Sequence, residues 1–195
     1  MIKKESEKKI VYCDMDAYDI QKFQQNRYPL LFIDYVDEAV AGESAKGFKN
    51  FSYNEWFFPV HFEDEPNVPG FVQMEALTQM FLMSFLTLPG NEGKKTAFVK
   101  VESDFKKKIV PGNRLDIEAN LDFYRRGLAK GKSVGYLNGE IACDAKLTIV
   151  IPDVLLQFKP TAEIVRGGYN RNRVIYFSKA CNPGKYNSIT SSKAA

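Results

Sequence analysis

The side chains best suited to moving protons in this sequence are its only histidine, His61, and Glu75, a carboxylate set in an apolar segment downstream. Imidazole titrates nearest neutrality of all side chains, and a carboxyl group denied water tends to hold its proton, so the two offer a base and an acid. Between them stands Pro69-Gly70, at the predicted start of a long helix. The first N–H groups of a helix lack intrahelical partners and together carry about half a positive charge, so Gly70 and Phe71 could hold an oxyanion. Gly70 would also let a ligand approach without a Cβ in the way. Taken alone, Pro-Gly reads first as a plain turn, and Glu75 can also be a solvated or interface-paired carboxylate. Gln79 lies one turn beyond Glu75 on the same helix face, where its amide can orient the carboxyl by a hydrogen bond.

The elements that must position these groups read as α+β. Phe71 to Leu88 is the one long helical segment, and its Phe, Met and Leu residues leave almost no polar face. Such a helix must be buried, by a sheet that wraps it or by a partner subunit. Asp16 or Asp19 can cap a short helix through Ile20 and Phe23 that ends near Tyr28-Pro29, because the residue before proline is biased out of helix. Strands are expected from Leu30 to Val36, Lys46 to Phe51, Thr96 to Phe105, Leu115 to Tyr124, Gly131 to Leu137 and Ile141 to Ile151. The last two are joined by Asn138-Gly139, a strong signal for a type I′ turn and hence for an antiparallel sheet. Ser52 to Gly70 is a long connection that carries Tyr53, Trp56, Phe57, Phe58 and Phe62. An apolar load of that size predicts packing against an interface or a ligand.

The chain has 195 residues, enough for one core and an appendage: an N-terminal segment (1–15), a principal domain (16–152) and a C-terminal extension (153–195). In the extension we expect a short strand from Val174 to Phe177 and a disordered end from Ser188 to Ala195. A net charge of +3 is too small for the footprint of a nucleic-acid binder. Cys13, Cys143 and Cys181 are odd in number, far apart and without a Cys-x-x-Cys pair, so we expect reduced thiols and no metal or cofactor. The charged start lacks a signal-peptide core and no apolar run nears the roughly 20 residues of a membrane span, which leads us to expect a cytoplasmic protein without membrane insertion. Lys106, Lys107, Lys108, Arg114, Arg125, Arg126, Lys130 and Lys132 form a basic set. Such residues can simply protect strand edges, or can dock an acidic partner.

Several stretches in order resemble one family. They are Asn26-Arg27-Tyr28-Pro29-Leu30-Leu31-Phe32-Ile33-Asp34, then His61-Phe62, Pro66, Pro69-Gly70, Glu75-Ala76-Leu77 with Gln79, Phe105-Lys106, and Val110-Pro111-Gly112. From about residue 16 to 151 the chain is similar to the β-hydroxyacyl-acyl-carrier-protein dehydratases of type II fatty acid synthesis. The resemblance implies a hotdog fold, a curved antiparallel sheet around one central helix. It implies a homodimer with shared active sites, and leaves open a trimer of dimers. It makes His61 and Glu75 the catalytic pair, drawn from opposite subunits, and gives the thioester carbonyl to the Gly70 N–H. The implied reaction is loss of water from a (3R)-3-hydroxyacyl thioester of acyl carrier protein or coenzyme A, leaving the trans-2-enoyl thioester. The carrier would meet the basic set, in particular Lys106, Lys107, Lys108, Arg125 and Arg126, and the acyl chain would run beside the helix. Glutamate at position 75 resembles the branch that dehydrates without isomerising the double bond.

This chain departs from the family in three places. Asn26 stands where the family usually has histidine, Val60 where it has glycine, and Glu63-Asp64-Glu65 where it has Pro-Gly and a variable residue. These differences suggest a specialised paralog for an unusual lipid or polyketide chain. The same fold supports acyl-thioester binding without turnover and thioester hydrolysis, but neither accounts as well for having both His61 and Glu75.

Overall fold

The structure, a computed structural model, describes residues 9–157. The strand expected at Val174 to Phe177, the end from Ser188 and Cys181 lie outside them. The strands are β1 (Val11–Met15), β2 (Tyr35–Val40), β3 (Ser44–Asn50), β4 (Ala97–Phe105), β5 (Arg114–Arg125), β6 (Leu128–Leu137) and β7 (Glu140–Val150). The α-helices are α1 (Ala17–Phe23), α2 (Gly70–Leu86) and α3 (Pro152–Gln157). All strand pairings are antiparallel, in one sheet of order β1-β2-β3-β5-β6-β7-β4. Helix α2 packs on β2, β3, β5, β6 and β7, so the sheet curves around it, as the hotdog reading expects.

The central helix is buried because it has almost no face fit for water: Val72, Gln73 and every residue from Ala76 to Leu86 are buried. The sheet makes room for it with Gly131 on β6, where an added Cβ would lie 2.5 Å from the Phe81 ring. The Asn138-Gly139 hairpin forms with positive φ at both residues (51° and 80°), and Arg126-Gly127 makes a second such turn between β5 and β6.

Three expected boundaries shift, each for an identifiable reason. The apolar run from Leu30 is not strand until Tyr35, because its backbone is taken by a side chain: Gln79 Nε2 donates to the Leu30 carbonyl (2.7 Å) and the Phe32 N–H donates to Gln79 Oε1 (2.7 Å). Phe32 and Ile33 are fully buried all the same. Helix α1, capped by Asp16, stops at Phe23 and not near Tyr28. There Arg27 folds back and donates to the carbonyls of Gln21, Gln24 and Asn26 (2.8–2.9 Å), satisfying groups that a longer helix would have used. The sheet also begins earlier than residue 16, since β1 pairs with β2; as a largely exposed edge strand, β1 carries little of the alternation that betrays a strand. Past residue 152, α3 continues the described chain, with Val154 packed on the core.

Candidate active site

Glu75 sits on the second turn of α2, partly buried, with Oε1 accepting from Gln79 Nε2 (2.8 Å) and Asn26 Nδ2 (3.2 Å). The orientation of the Gln79 amide follows from its partners: the end facing the Phe32 N–H must be oxygen, so the end facing Glu75 and the Leu30 carbonyl is nitrogen. Burial pushes the Glu75 carboxyl above the ordinary carboxylate range, and the N–H donations from Gln79 and Asn26, which favour the ionised form, offset part of that rise. With Oε1 occupied by two donors, a proton on this carboxyl belongs on Oε2. Beside it is a cavity of about 120 Å³ lined by Asn26, Glu75, Thr78, Leu82, Phe98 and Ile149, with Thr96 and Ala97 completing the wall.

His61 ends the short 3₁₀ turn Phe58–Val60 in the long loop after β3. The loop is anchored by Phe57 and Phe58, both buried, while Trp56, Val60 and Phe62 are exposed. The His61 imidazole lies over Phe62 at 4.3 Å between ring centres and its Nδ1 is 3.1 Å from the Asn67 carbonyl oxygen. A carbonyl can only accept, so Nδ1 carries the hydrogen, which leaves Nε2 as the ring nitrogen able to act as a base. The Asn67 N–H donates in return to the His61 carbonyl (2.9 Å), closing the loop on itself. Glu63 and Asp64 are exposed, and Glu65 is paired with Lys108.

At the start of α2, the Pro69 carbonyl accepts from the Val72 and Gln73 N–H groups at 3.0 and 3.1 Å. Gly70 and Phe71 precede the first intrahelical bond, so their N–H groups are available at the positive end of the helix. The Phe105 ring packs directly on Gly70, where a Cβ would come within 3.2 Å of it. Phe71 is exposed and meets Trp56 at 6.5 Å between ring centres.

The structure thus brings Gln79 to Glu75, as expected, and adds Asn26, which the sequence marked only as a departure. Among the described residues no hydrogen bond or ion pair joins His61 to Glu75 of the same chain. The basic set does not form one surface. Lys106 pairs with Asp144, Lys107 with Glu140 and Lys108 with Glu65, at the end of the sheet where β7 begins. Arg125, opposite Leu128 and so near Val150, is at the other end of β7. Cys13 and Cys143 are free, and burial pushes the Cys143 thiol up to about 12. Among the described residues no cluster of three or more His, Cys, Asp or Glu could hold a metal ion, and no helix is long and apolar enough to cross a membrane.

Residues 25–146, which include Asn26, His61, Gly70, Glu75 and Gln79, match the FabA-like domain family, and the chain belongs to it. Within reach of that family, the 3-hydroxyacyl-[acyl-carrier-protein] dehydratase FabZ of Bacillus licheniformis is 38% identical over 134 residues, 68% of this chain and 93% of the relative. The enzyme of the same name from Natranaerobius thermophilus is 37% identical over 137 residues, 70% of this chain and 96% of the relative. Among solved structures, the dehydratase heterocomplex ApeI:P from Xenorhabdus doucetiae matches with a TM-score of 0.61 at 13% identity, over 73% of this chain and 97% of that one. An uncharacterised Pyrococcus horikoshii protein matches with a TM-score of 0.53 at 12% identity, over 67% and 91%. At such identities these structures speak for the fold alone.

Proposed function

We propose that this protein is a dehydratase that removes water from a (3R)-3-hydroxyacyl thioester carried by acyl carrier protein, in fatty acid or related lipid or polyketide synthesis. His61 Nε2 takes the α-proton, and the Gly70 and Phe71 N–H groups receive the charge that develops on the thioester oxygen. The electron pair left at C2 forms the C2–C3 double bond as the C3–O bond breaks. The proton on Glu75 Oε2 goes to the departing hydroxyl, which leaves as water. No further step moves the double bond. The observation that carries this reading is the setting of Glu75: a carboxyl lifted by burial, held on one oxygen by two amides and free on the other, beside a cavity.

The complete site requires two copies. Among the described residues strand β4 is an edge with only β7 beside it, and it exposes Phe98, Val99 and Phe105. An unpaired edge of nine residues with apolar side chains is a template for another strand. The Glu75 cavity adjoins its first residues and Gly70 packs on its last. Phe98 to Phe105 spans about 24 Å at roughly 3.4 Å per residue, and antiparallel pairing about a two-fold axis lays the start of one copy of β4 beside the end of the other. That edge supports a homodimer, and the family resemblance has His61 of one copy work with Glu75 of the other. The carrier approaches on Lys106, Lys107 and Lys108, beside Phe105, where their exposed ion pairs can exchange for acidic groups of the carrier. Arg125 and Arg126 belong to a different end of the surface and would act in docking only from another direction. A cytoplasmic location is part of the same reading, since the proposed carrier substrates are soluble.

The test is to incubate the purified protein with 3-hydroxyacyl thioesters of several chain lengths, on acyl carrier protein and on coenzyme A, and to weigh the products. Loss of water in the wild type and not in His61→Ala is expected. Release of free acid and thiol would replace this reading by a thioesterase, and tight binding of unchanged substrate would replace it by an acyl-sensing protein.

A further inference from the structure

Strand β3 carries a lysine where the fold calls for an apolar residue. Ala45, Gly47 and Lys49 are the buried positions of its alternation, and Lys49 is only 6% exposed. Its ammonium is held by two carboxylates, Asp34 Oδ1 at 3.1 Å and Glu55 Oε1 at 2.7 Å, and lies 5.6 Å from the centre of the Phe51 ring. The second oxygen of Asp34 accepts the Asn50 N–H at 2.7 Å, so that carboxylate is fixed to the sheet. Glu55, by contrast, is on the loop. A buried ion pair is weak ground for stability, since apolar side chains of similar size commonly serve as well; its particular use is to impose one geometry.

The geometry imposed here leads to His61. The Phe58 N–H donates to the Glu55 carbonyl (3.2 Å) and the His61 N–H donates to the Phe58 carbonyl (3.4 Å), while the Glu55 N–H donates back to Ser52 (3.1 Å). Phe58 between them is wholly buried and stacks with Tyr53. The ion pair thus fixes the first member of a two-step backbone relay that approaches His61 from the sheet, while the Asn67 contacts hold the ring from the other side.

We propose that Lys49 and Glu55 are positioning residues for the catalytic histidine, with Asp34 tying Lys49 to the sheet, so that the ion pair formed by this buried lysine sets where the His61 imidazole stands. The inference rests on His61 being the base, yet it can be tested apart from that reading. His61 is the only histidine, so the imidazole carbon-bound protons give a single, unambiguous set of NMR signals that report its surroundings without any assay of turnover.

The experiment compares wild type with Glu55→Gln, which keeps the shape of the side chain and removes its charge, at a temperature where both are folded dimers by circular dichroism and gel filtration. The expected result is a shift or broadening of the His61 signals, with kcat on a 3-hydroxyacyl thioester reduced at least about tenfold and KM within about twofold. Glu55→Asp, which retains the charge on a shorter arm, should recover part of the loss in kcat, and it carries the comparison if Glu55→Gln does not fold. Unmoved His61 signals, or a kcat within twofold of wild type, would overturn the proposal. A wild type that eliminates no water would sink the dehydratase reading instead, while the His61 signals would still decide whether the ion pair positions the ring.

Discussion

Glu75 shows how a single side chain can be tuned by contacts that oppose one another. Burial favours its neutral form, and the amides of Gln79 and Asn26 favour its ionised form; burial is the larger influence, so its folded pKa is raised. A raised carboxyl means that in the window between the unfolded and the folded pKa the native protein binds more protons than the unfolded chain, and stability falls as pH rises. The contribution is complete below the unfolded value and is lost through the folded one. Glu75→Gln removes that dependence. Its melting temperature relative to wild type should therefore be higher at pH 8 than at pH 4.5, measured by calorimetry on both proteins; a difference that stays constant or declines with pH would show that the carboxyl is not desolvated. Asn26 belongs to the same scale. Its side chain is short and polar and lies in a connector with no periodic pattern, so its role could be seen only once α1 ended early and Arg27 turned the chain toward α2.

At the scale of elements, Gln79 does more than orient Glu75. Its fully buried amide also holds Leu30 and Phe32, which fixes the segment between α1 and β2 against the central helix. Gln79→Leu would leave the buried Phe32 N–H without a partner, at a cost of roughly 1–3 kcal/mol, and take the donor from the part-buried Leu30 carbonyl, readable as a lower midpoint in urea. A loss below about 0.5 kcal/mol would mean that other groups replace those bonds. The same contact explains what the sequence could not reveal. The long helix, the Asn138-Gly139 hairpin and the later strands follow from local pattern and turn chemistry, and so were legible. The run from Leu30 has strand composition, but whether its backbone pairs with a neighbouring strand or with a distant glutamine is decided by tertiary structure. The Lys49–Glu55 pair is hidden for a similar reason: a lysine in a strand and a glutamate in a loop have ordinary types at no telling spacing, and only burial marks them. His61, Gly70 and Glu75 stood out in the sequence as candidates because their residue types are unusual where they stand.

For the molecule as a whole, the proposed function divides the site between two copies of the chain. Glu75 and its cavity adjoin the first residues of β4, and among the described residues no hydrogen bond or ion pair joins His61 to Glu75 of the same chain. The proposed function therefore requires that each active site be assembled from two copies of the chain. The most direct test is to mix the inactive variants His61→Ala and Glu75→Gln in equal amounts, with subunit exchange verified by native mass spectrometry, and to assay elimination. About half the dimers would be mixed, each with one complete site of two, so activity should return to about a quarter of the wild-type value. Exchange without any return of activity would contradict the shared site, because a site built within one chain leaves every mixed dimer with two defective halves.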